Sequence, residues 1–194
     1  LHHRKMVFLK GHQSYVLTAS FSPDNQRVVT ASEDGTARLW DMQGNQLAVL
    51  NGHEDGVRDA IFSPDGQSVI TISDDTTARI WSLSGNLKQI LRGHGASVHS
   101  ANVSPDGRHI ITASFDGTAR LWTFDGTQQA VLEGHQDGVW QAKFSQNGRY
   151  IVTVSQDNTA RLWNRDGLLI SILLGHDREI VSANFSPDSQ YLVT

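Results

Sequence analysis

Three side-chain types that together can open an acyl bond recur as sets along this chain: a histidine, a serine 20 residues on, and an aspartate two beyond it. His12, Ser32 and Asp34 form the first set. His53, Ser73 and Asp75, then His94, Ser114 and Asp116, then His135, Ser155 and Asp157 repeat it. A serine nucleophile, a histidine base and an orienting carboxylate are what a hydrolytic triad needs. Hydrolysis, however, requires one set converging on one cleft, whereas here the set comes four times, each with a tryptophan six residues after its aspartate: Trp40, Trp81, Trp122 and Trp163. Repetition in register marks a structural network, so no catalytic residue is assigned. The nine histidines fare no better as metal ligands. Five follow a glycine, one per repeat and therefore far apart, which leaves only His2, His3, His99 and His109 as strays, and His2-His3 reads as a chain end as readily as a ligand pair. No metal and no cofactor is expected.

The elements that must position these side chains follow from the repeat. Gly11-His12, Gly52-His53, Gly93-His94, Gly134-His135 and Gly175-His176 are spaced by 41 residues throughout, and one unit has been copied along the chain. In the first copy, Tyr15 to Phe21 is a β-prone run ending at Ser22-Pro23-Asp24-Asn25, where Pro and Asp suit a type I turn. All four prolines, Pro23, Pro64, Pro105 and Pro187, fall at this offset, and a residue that cannot donate to a ladder marks a turn in every copy. Arg27 to Ser32 reads as a second strand, Asp34-Gly35 as a tight turn, and Thr36 to Trp40 as a third strand. After a further turn at Gly44, Gln46 to Leu50 reads as the fourth. The second copy has Asp75-Thr76 at the tight turn, so that hairpin must adopt another geometry or carry strain, since a β-branched residue tolerates positive φ poorly. Four strands in a period of about 40 residues, with no helical periodicity, is the spacing of propeller blades.

Composition excludes several function classes. At 194 residues, with 38% apolar and 19% charged side chains, the chain can bury a core without staples. It has no cysteine, which excludes disulfides and thiolate zinc and fits a reducing, cytoplasmic setting. The longest apolar run, Leu168 to Leu174, is broken by Ser171 and falls far short of the roughly 20 residues of a membrane span. A net charge of -4 without a basic run argues against a nucleic-acid footprint, so neither nucleic acid nor membrane is an expected partner. Two Asn-x-Ser sequons, at Asn102 and Asn184, fall inside strands, where glycosylation is not expected. Arg38, Arg79, Arg120 and Arg161 recur beside the tryptophans and read as scaffold.

From Gly52-His53 through Ser73-Asp74-Asp75-Thr76-Thr77-Ala78-Arg79-Ile80-Trp81, and in the equivalent stretches, the chain resembles the WD-repeat β-propeller family in its highly regular, bacterial-type form. The resemblance covers the whole chain, although the terminal dipeptide survives only as Trp40-Asp41 and becomes Trp81-Ser82, Trp122-Thr123 and Trp163-Asn164. It implies an all-β propeller of four-stranded antiparallel blades. It also implies that each blade carries a hydrogen-bonded tetrad, here His12, Ser32, Asp34 and Trp40 and their three sets of equivalents. Residues 11–51, 52–92, 93–133 and 134–174 are the full repeats. Residues 1–10, with Lys5 to Leu9 extended, are the outer strand of a preceding blade, and 175–194 is a truncated fifth repeat lacking its tetrad Ser, Asp and Trp. Since propellers of this family usually have about seven blades, the expectation is part of a larger ring. An open arc that self-associates through its blade edges and a strained five-bladed closure are the other arrangements.

The family binds peptides and proteins on the top face, through residues near the start of the inner strand and the residue before the tetrad Asp. Carried over, the inner-strand positions are Tyr15 and Leu17, Gly56 and Arg58, Ser97 and His99, Gly138 and Trp140, and Glu179 and Val181. The positions before the Asp are Glu33, Asp74, Phe115 and Gln156. These differ between copies while their neighbours stay fixed, and Trp140 is the one tryptophan outside the tetrads. Tyr15, Leu17, Glu33, Arg58, Asp74, His99, Phe115, Trp140, Gln156 and Glu179 are therefore the candidate partner-binding residues, an aromatic and charged rim of the composition found at binding hot spots. The expected function is a non-catalytic protein-protein interaction scaffold; the alternative is a regulatory or sensing module of a larger signalling protein or enzyme.

Overall fold

A computed structural model of the protein describes residues 6–194. Each full repeat folds as one antiparallel sheet whose strands follow in chain order. The first blade comprises β1 (Val16–Phe21), β2 (Arg27–Ser32), β3 (Thr36–Asp41) and β4 (Gln46–Asn51). β5 (Val57–Phe62), β6 (Ser68–Ser73), β7 (Ala78–Ser82) and β8 (Leu87–Leu91) make the second. The third contains β9 (Val98–Val103), β10 (His109–Ser114), β11 (Ala119–Thr123) and β12 (Gln128–Leu132), and the fourth β13 (Val139–Phe144), β14 (Tyr150–Ser155), β15 (Ala160–Asn164) and β16 (Leu169–Leu173). The fifth repeat contributes a short pair, β17 (Asn184–Phe185) and β18 (Leu192–Val193).

Where a blade is flanked on both sides, its second strand is covered by both neighbours and reads as a nearly unbroken apolar run; every residue of β6 is buried. Cores form between blades. Val29, Ala31, Leu39 and Leu50 of the first blade pack with Val57, Ala60, Val69 and Trp81 of the second, and the pattern recurs at the next two junctions. The inner strands leave edge N–H groups toward the axis, and polar side chains of the preceding blade satisfy several of them: Ser100 Oγ accepts from Ala142 N, Asn102 Oδ1 from Phe144 N and Gln141 Oε1 from Ala183 N, each at 3.0 Å. Asn102, in its sequon, is thus committed to holding two blades together.

The tight turn does not change geometry in the second copy. Thr76 has φ of 69°, beside 79° for Gly35, 81° for Gly117 and 65° for Asn158. The aspartate before it imposes this shape, because Asp75 Oδ1 accepts from both the N–H and the hydroxyl of Thr77, at 2.9 and 2.7 Å. Of the two outcomes open to the sequence, strain is the one realised.

Residues 6–10 form no strand, so the outer strand read over Lys5 to Leu9 is absent in its described part, Lys5 itself lying outside the described residues. They still occupy that place: a Cβ on Gly44 would meet Val7 Cγ1 and Phe8 O, as one on Gly85 would meet Ala48 and Val49 of the blade before. A lone segment without a third strand to pair with has no ladder to join. The face of the first blade is consequently open. Val16 is 50% and Phe21 62% exposed, whereas Val57, the repeat equivalent of Val16, is fully buried. Among the described residues no hydrogen bond joins the first blade to residues 175–194.

Thr76→Gly relieves a β-branched residue of the left-handed conformation and raises stability by about 1 kcal/mol. Urea denaturation checks this; an unchanged or lower midpoint would mean that the turn is unstrained.

Candidate functional site

The residues of the repeated network meet, with one substitution of role. Trp40 Nε1 donates to Thr30 Oγ1 at 2.9 Å, Thr30 Oγ1 lies 2.7 Å from His12 Nε2, and His12 Nδ1 lies 2.9 Å from Asp34 Oδ2. Thr71, Thr112 and Thr153 repeat this relay with His53, His94 and His135 and with Trp81, Trp122 and Trp163, at 2.7 to 2.9 Å. Indole can only donate and an ionised carboxylate can only accept. The threonine hydroxyl therefore accepts from Trp, and the histidine nitrogen that faces the aspartate, Nδ1, carries a proton and donates it to that carboxylate as a hydrogen bond.

The hydroxyl of the relay is thus threonine, not Ser32, Ser73, Ser114 or Ser155. Thr30 and Ser32 share a face of β2 by the two-residue alternation, so composition alone does not separate them. The ladder does: Thr30 pairs with Arg38, diagonal to Trp40, while Ser32 ends the strand. There the serine serves the turn. Its hydroxyl accepts from Asp34 N at 3.1 Å, and Ser73, Ser114 and Ser155 also donate to the carbonyls of Asp55, Ala96 and Asp137. Among the described residues no serine hydroxyl bonds a histidine, so the triad geometry is not met. The fifth repeat keeps more of the network than its length suggests, because Thr194 Oγ1 sits 2.7 Å from His176 Nε2.

The glycine before each histidine has its own reason. A Cβ on Gly52 would lie 2.7 Å from Arg79 Nη1 and 3.4 Å from Trp81, and the repeated arginine likewise lies across Gly11, Gly93 and Gly134, whereas none of the described residues lies within 4 Å of a Cβ on Gly175. Among the described residues no three His, Cys, Asp or Glu side chains are grouped as metal ligands, and no helix is long and apolar enough to cross a membrane.

The rim is built by a bulge that recurs in each blade. Val16 pairs with Ser32 and Thr18 with Ala31, which leaves Leu17 unpaired; Arg58, His99 and Trp140 are skipped in the same way. A bulged residue is turned out of the ladder and re-aimed. The residue before the turn aspartate is drawn to the same place, since the N–H groups of Glu33, Asp74, Phe115 and Gln156 donate to the carbonyls of Tyr15, Gly56, Ser97 and Gly138 at 2.9 to 3.1 Å. Each blade therefore presents one bulge side chain beside one turn side chain.

What these pairs do differs from blade to blade. In the second, Arg58 Nε lies 2.9 and 2.8 Å from the two carboxylate oxygens of Asp74. In the third, His99 stacks on Phe115 with ring centroids 3.8 Å apart. Trp140 of the fourth meets both rings edge-on, at 5.0 and 4.9 Å, and donates its indole N–H to Glu179 Oε2 at 3.0 Å. Burial, and then the Arg58 charge, push the His99 imidazole below its ordinary value, so it stays neutral at neutral pH. Gly138 is among the inner-strand positions but not among the candidate binding residues. A Cβ there would strike Phe115 Cδ1 at 2.7 Å and Gln156 Oε1 at 2.8 Å, so bare backbone lets the third blade's Phe lie across the fourth. Two copies carry glycine at this position, Gly56 and Gly138, where the others carry Tyr15, Ser97 and Glu179. Arg58, Asp74, His99, Phe115, Trp140 and Glu179 form one strip, with Gln156 at its edge and Glu33 close enough for its charge to act on Arg58. Tyr15, 77% exposed, and Leu17 stand apart from the strip.

Four-stranded blades arranged face to face about an axis, each locked by a Trp–Thr–His–Asp relay, define a β-propeller of the WD-repeat class. The model of the family described as the IFT122 first beta-propeller matches residues 4–194, and the chain belongs to that family.

Thr71→Val removes the acceptor of Trp81 and the partner of His53 together, and destabilises by about 2–3 kcal/mol. Ser73→Ala costs less, about 1 kcal/mol; equal losses in chemical denaturation would contradict the reassigned relay. The relay also sets the acid limit. Burial opposes ionisation of Asp157 but is outweighed by hydrogen bonds from Thr159, Gln136 N and His135, which bring its carboxyl from 3.8 down to about 2; Asp34, Asp75 and Asp116 are likewise held well below the usual range. A carboxylate with a depressed folded pKa stabilises fully above its unfolded pKa and ceases to do so as pH falls through the folded one. Thermal midpoints should accordingly hold down to about pH 5 and fall steeply between about pH 4 and 2, measured by circular dichroism at fixed ionic strength.

Proposed function

We propose that the protein is a non-catalytic scaffold that holds a protein or peptide partner on the rim formed by the bulge and turn residues. The observation that carries this reading is the joining of His99, Phe115 and Trp140 into one partly exposed aromatic cluster across two blades. These are positions at which the repeats differ; His99 and Trp140 are bulge residues and Phe115 a turn residue, and no ladder requires their side chains. Aromatic side chains held rigid by their neighbours lose little entropy on binding, and such clusters dominate interface energies. The flanking ion pair of Arg58 with Asp74 and the Trp140–Glu179 bond add polar groups at the margin of the cluster. A buried apolar centre with a polar border is the anatomy of a protein-binding patch.

Selection of a random dodecapeptide library displayed on phage against the immobilised protein tests this. Enriched peptides should lose about 2 kcal/mol of binding, roughly thirtyfold in Kd, on Phe115→Ala or Trp140→Leu, with far-UV circular dichroism and thermal midpoint showing that both variants remain folded. Peptides that bind these variants as well as they bind the parent would place recognition elsewhere.

A further inference from the structure

We infer that the aromatic strip takes a basic peptide, with an arginine or lysine side chain laid on the exposed faces of Phe115 and Trp140 and its charge directed to Glu179. This rests on the rim reading above and adds the chemistry of the partner.

Three observations carry it. First, the rim segments at residues 13–17, 33, 54–58, 74, 95–99, 115, 136–140, 156 and 177–181 hold seven carboxylates and two guanidinium groups, the relay aspartates not included. The whole chain, relay aspartates included, has 20 Asp and Glu against 16 Lys and Arg for a net charge of -4, so the excess of negative charge is concentrated in these segments. Second, the cation whose charge acts on His99 is already engaged. Arg58 Nε is bonded to both oxygens of Asp74, and the charges of Glu33 and Asp55 also act on it. One arginine among three carboxylates leaves that flank negative. Third, Glu179 is exposed and spends one oxygen, Oε2, on the Trp140 indole; Oε1 has no bond among the described residues. It holds a carboxylate at the edge of an aromatic ring, where a cation drawn to the ring's π face meets a full negative charge as well. Arg178, beside it in sequence, is offset by Asp177.

A purely apolar partner would leave these carboxylates facing a low-dielectric interface without compensation, and an acidic one would be repelled by them. A basic segment matches both parts of the strip: its aliphatic stem covers the rings, and its charged end meets the acids. The aromatic rings pack against one another with centroids 3.8 to 5.0 Å apart, so they present a platform on which a cation lies and not an empty cage that would enclose one.

The selected dodecapeptides decide the matter. Clones that depend on Phe115 and Trp140 should be enriched in arginine and lysine over the starting library. Their Kd should weaken roughly five- to tenfold on Glu179→Gln and further on Glu179→Lys. Raising salt from 50 to 500 mM should also weaken them. Trp140→Phe, which keeps a π face but removes the N–H that holds Glu179, should fall between the parent and Glu179→Gln. Clones that need Phe115 and Trp140 but are apolar or acidic, or are indifferent to Glu179→Gln, would overturn the basic assignment while leaving the rim as the binding site. Basic clones that ignore Phe115 and Trp140, or a library that enriches nothing, would overturn both.

Discussion

A buried indole N–H must be given an acceptor, and the protein meets this demand with one threonine hydroxyl per blade. Almost everything else can be traced from that bond. The hydroxyl that accepts from tryptophan is also bonded to histidine Nε2, which holds the ring with its Nδ1–H toward the aspartate. The aspartate in turn closes the tight turn through Thr36 and its equivalents, and it accepts the N–H that follows the histidine. One chain of donors and acceptors thus ties the loop before the inner strand, the second strand, the third strand and the turn between them into one rigid corner. Left unmade, each of these buried polar groups would cost about 1–3 kcal/mol, which is why the set is repeated without variation.

That rigidity gives the variable positions their meaning. The corner places the residue before the aspartate next to the start of the inner strand, and the bulge turns the second inner-strand side chain outward beside it. Neither residue contributes to the ladder or to the relay. Their side chains are accordingly free to differ, and in this chain they differ in a directed way: an ion pair in the second blade, a stacked pair in the third, and in the fourth a tryptophan that reaches back to the third and forward to the fifth. Bare backbone at Gly138 is what allows adjacent blades to share one cluster, because any side chain there would hold Phe115 away.

Much of this was legible in the residues. The 41-residue step and the single offset of the prolines place sixteen strands within a residue or so of where they lie. The rim residues were legible as well, through disagreement among copies. Three things were not. The choice of Thr30 over Ser32 depends on depth along a strand face, and both residues recur in every full copy, so self-alignment is silent. The bulge is a matter of hydrogen-bond register, with no residue type that marks it. The strained turn at Thr76 was foreseen as one of two outcomes, and only the grip of Asp75 on Thr77 decides which. The outer strand expected before Gly11 fails for a reason outside its own sequence, since extended conformation needs a neighbouring edge.

The repeated bulge also bears on how such a surface can hold information. A side chain that belongs to no rung of a ladder can be exchanged without shifting register, so Leu17, Arg58, His99 and Trp140 behave as letters set in identical sockets. What the rim spells then depends on the order in which the blades follow one another as much as on the letters themselves. Exchanging two blades would keep the alphabet and the relay within each blade, yet it would separate Phe115 from Trp140 and produce a different word.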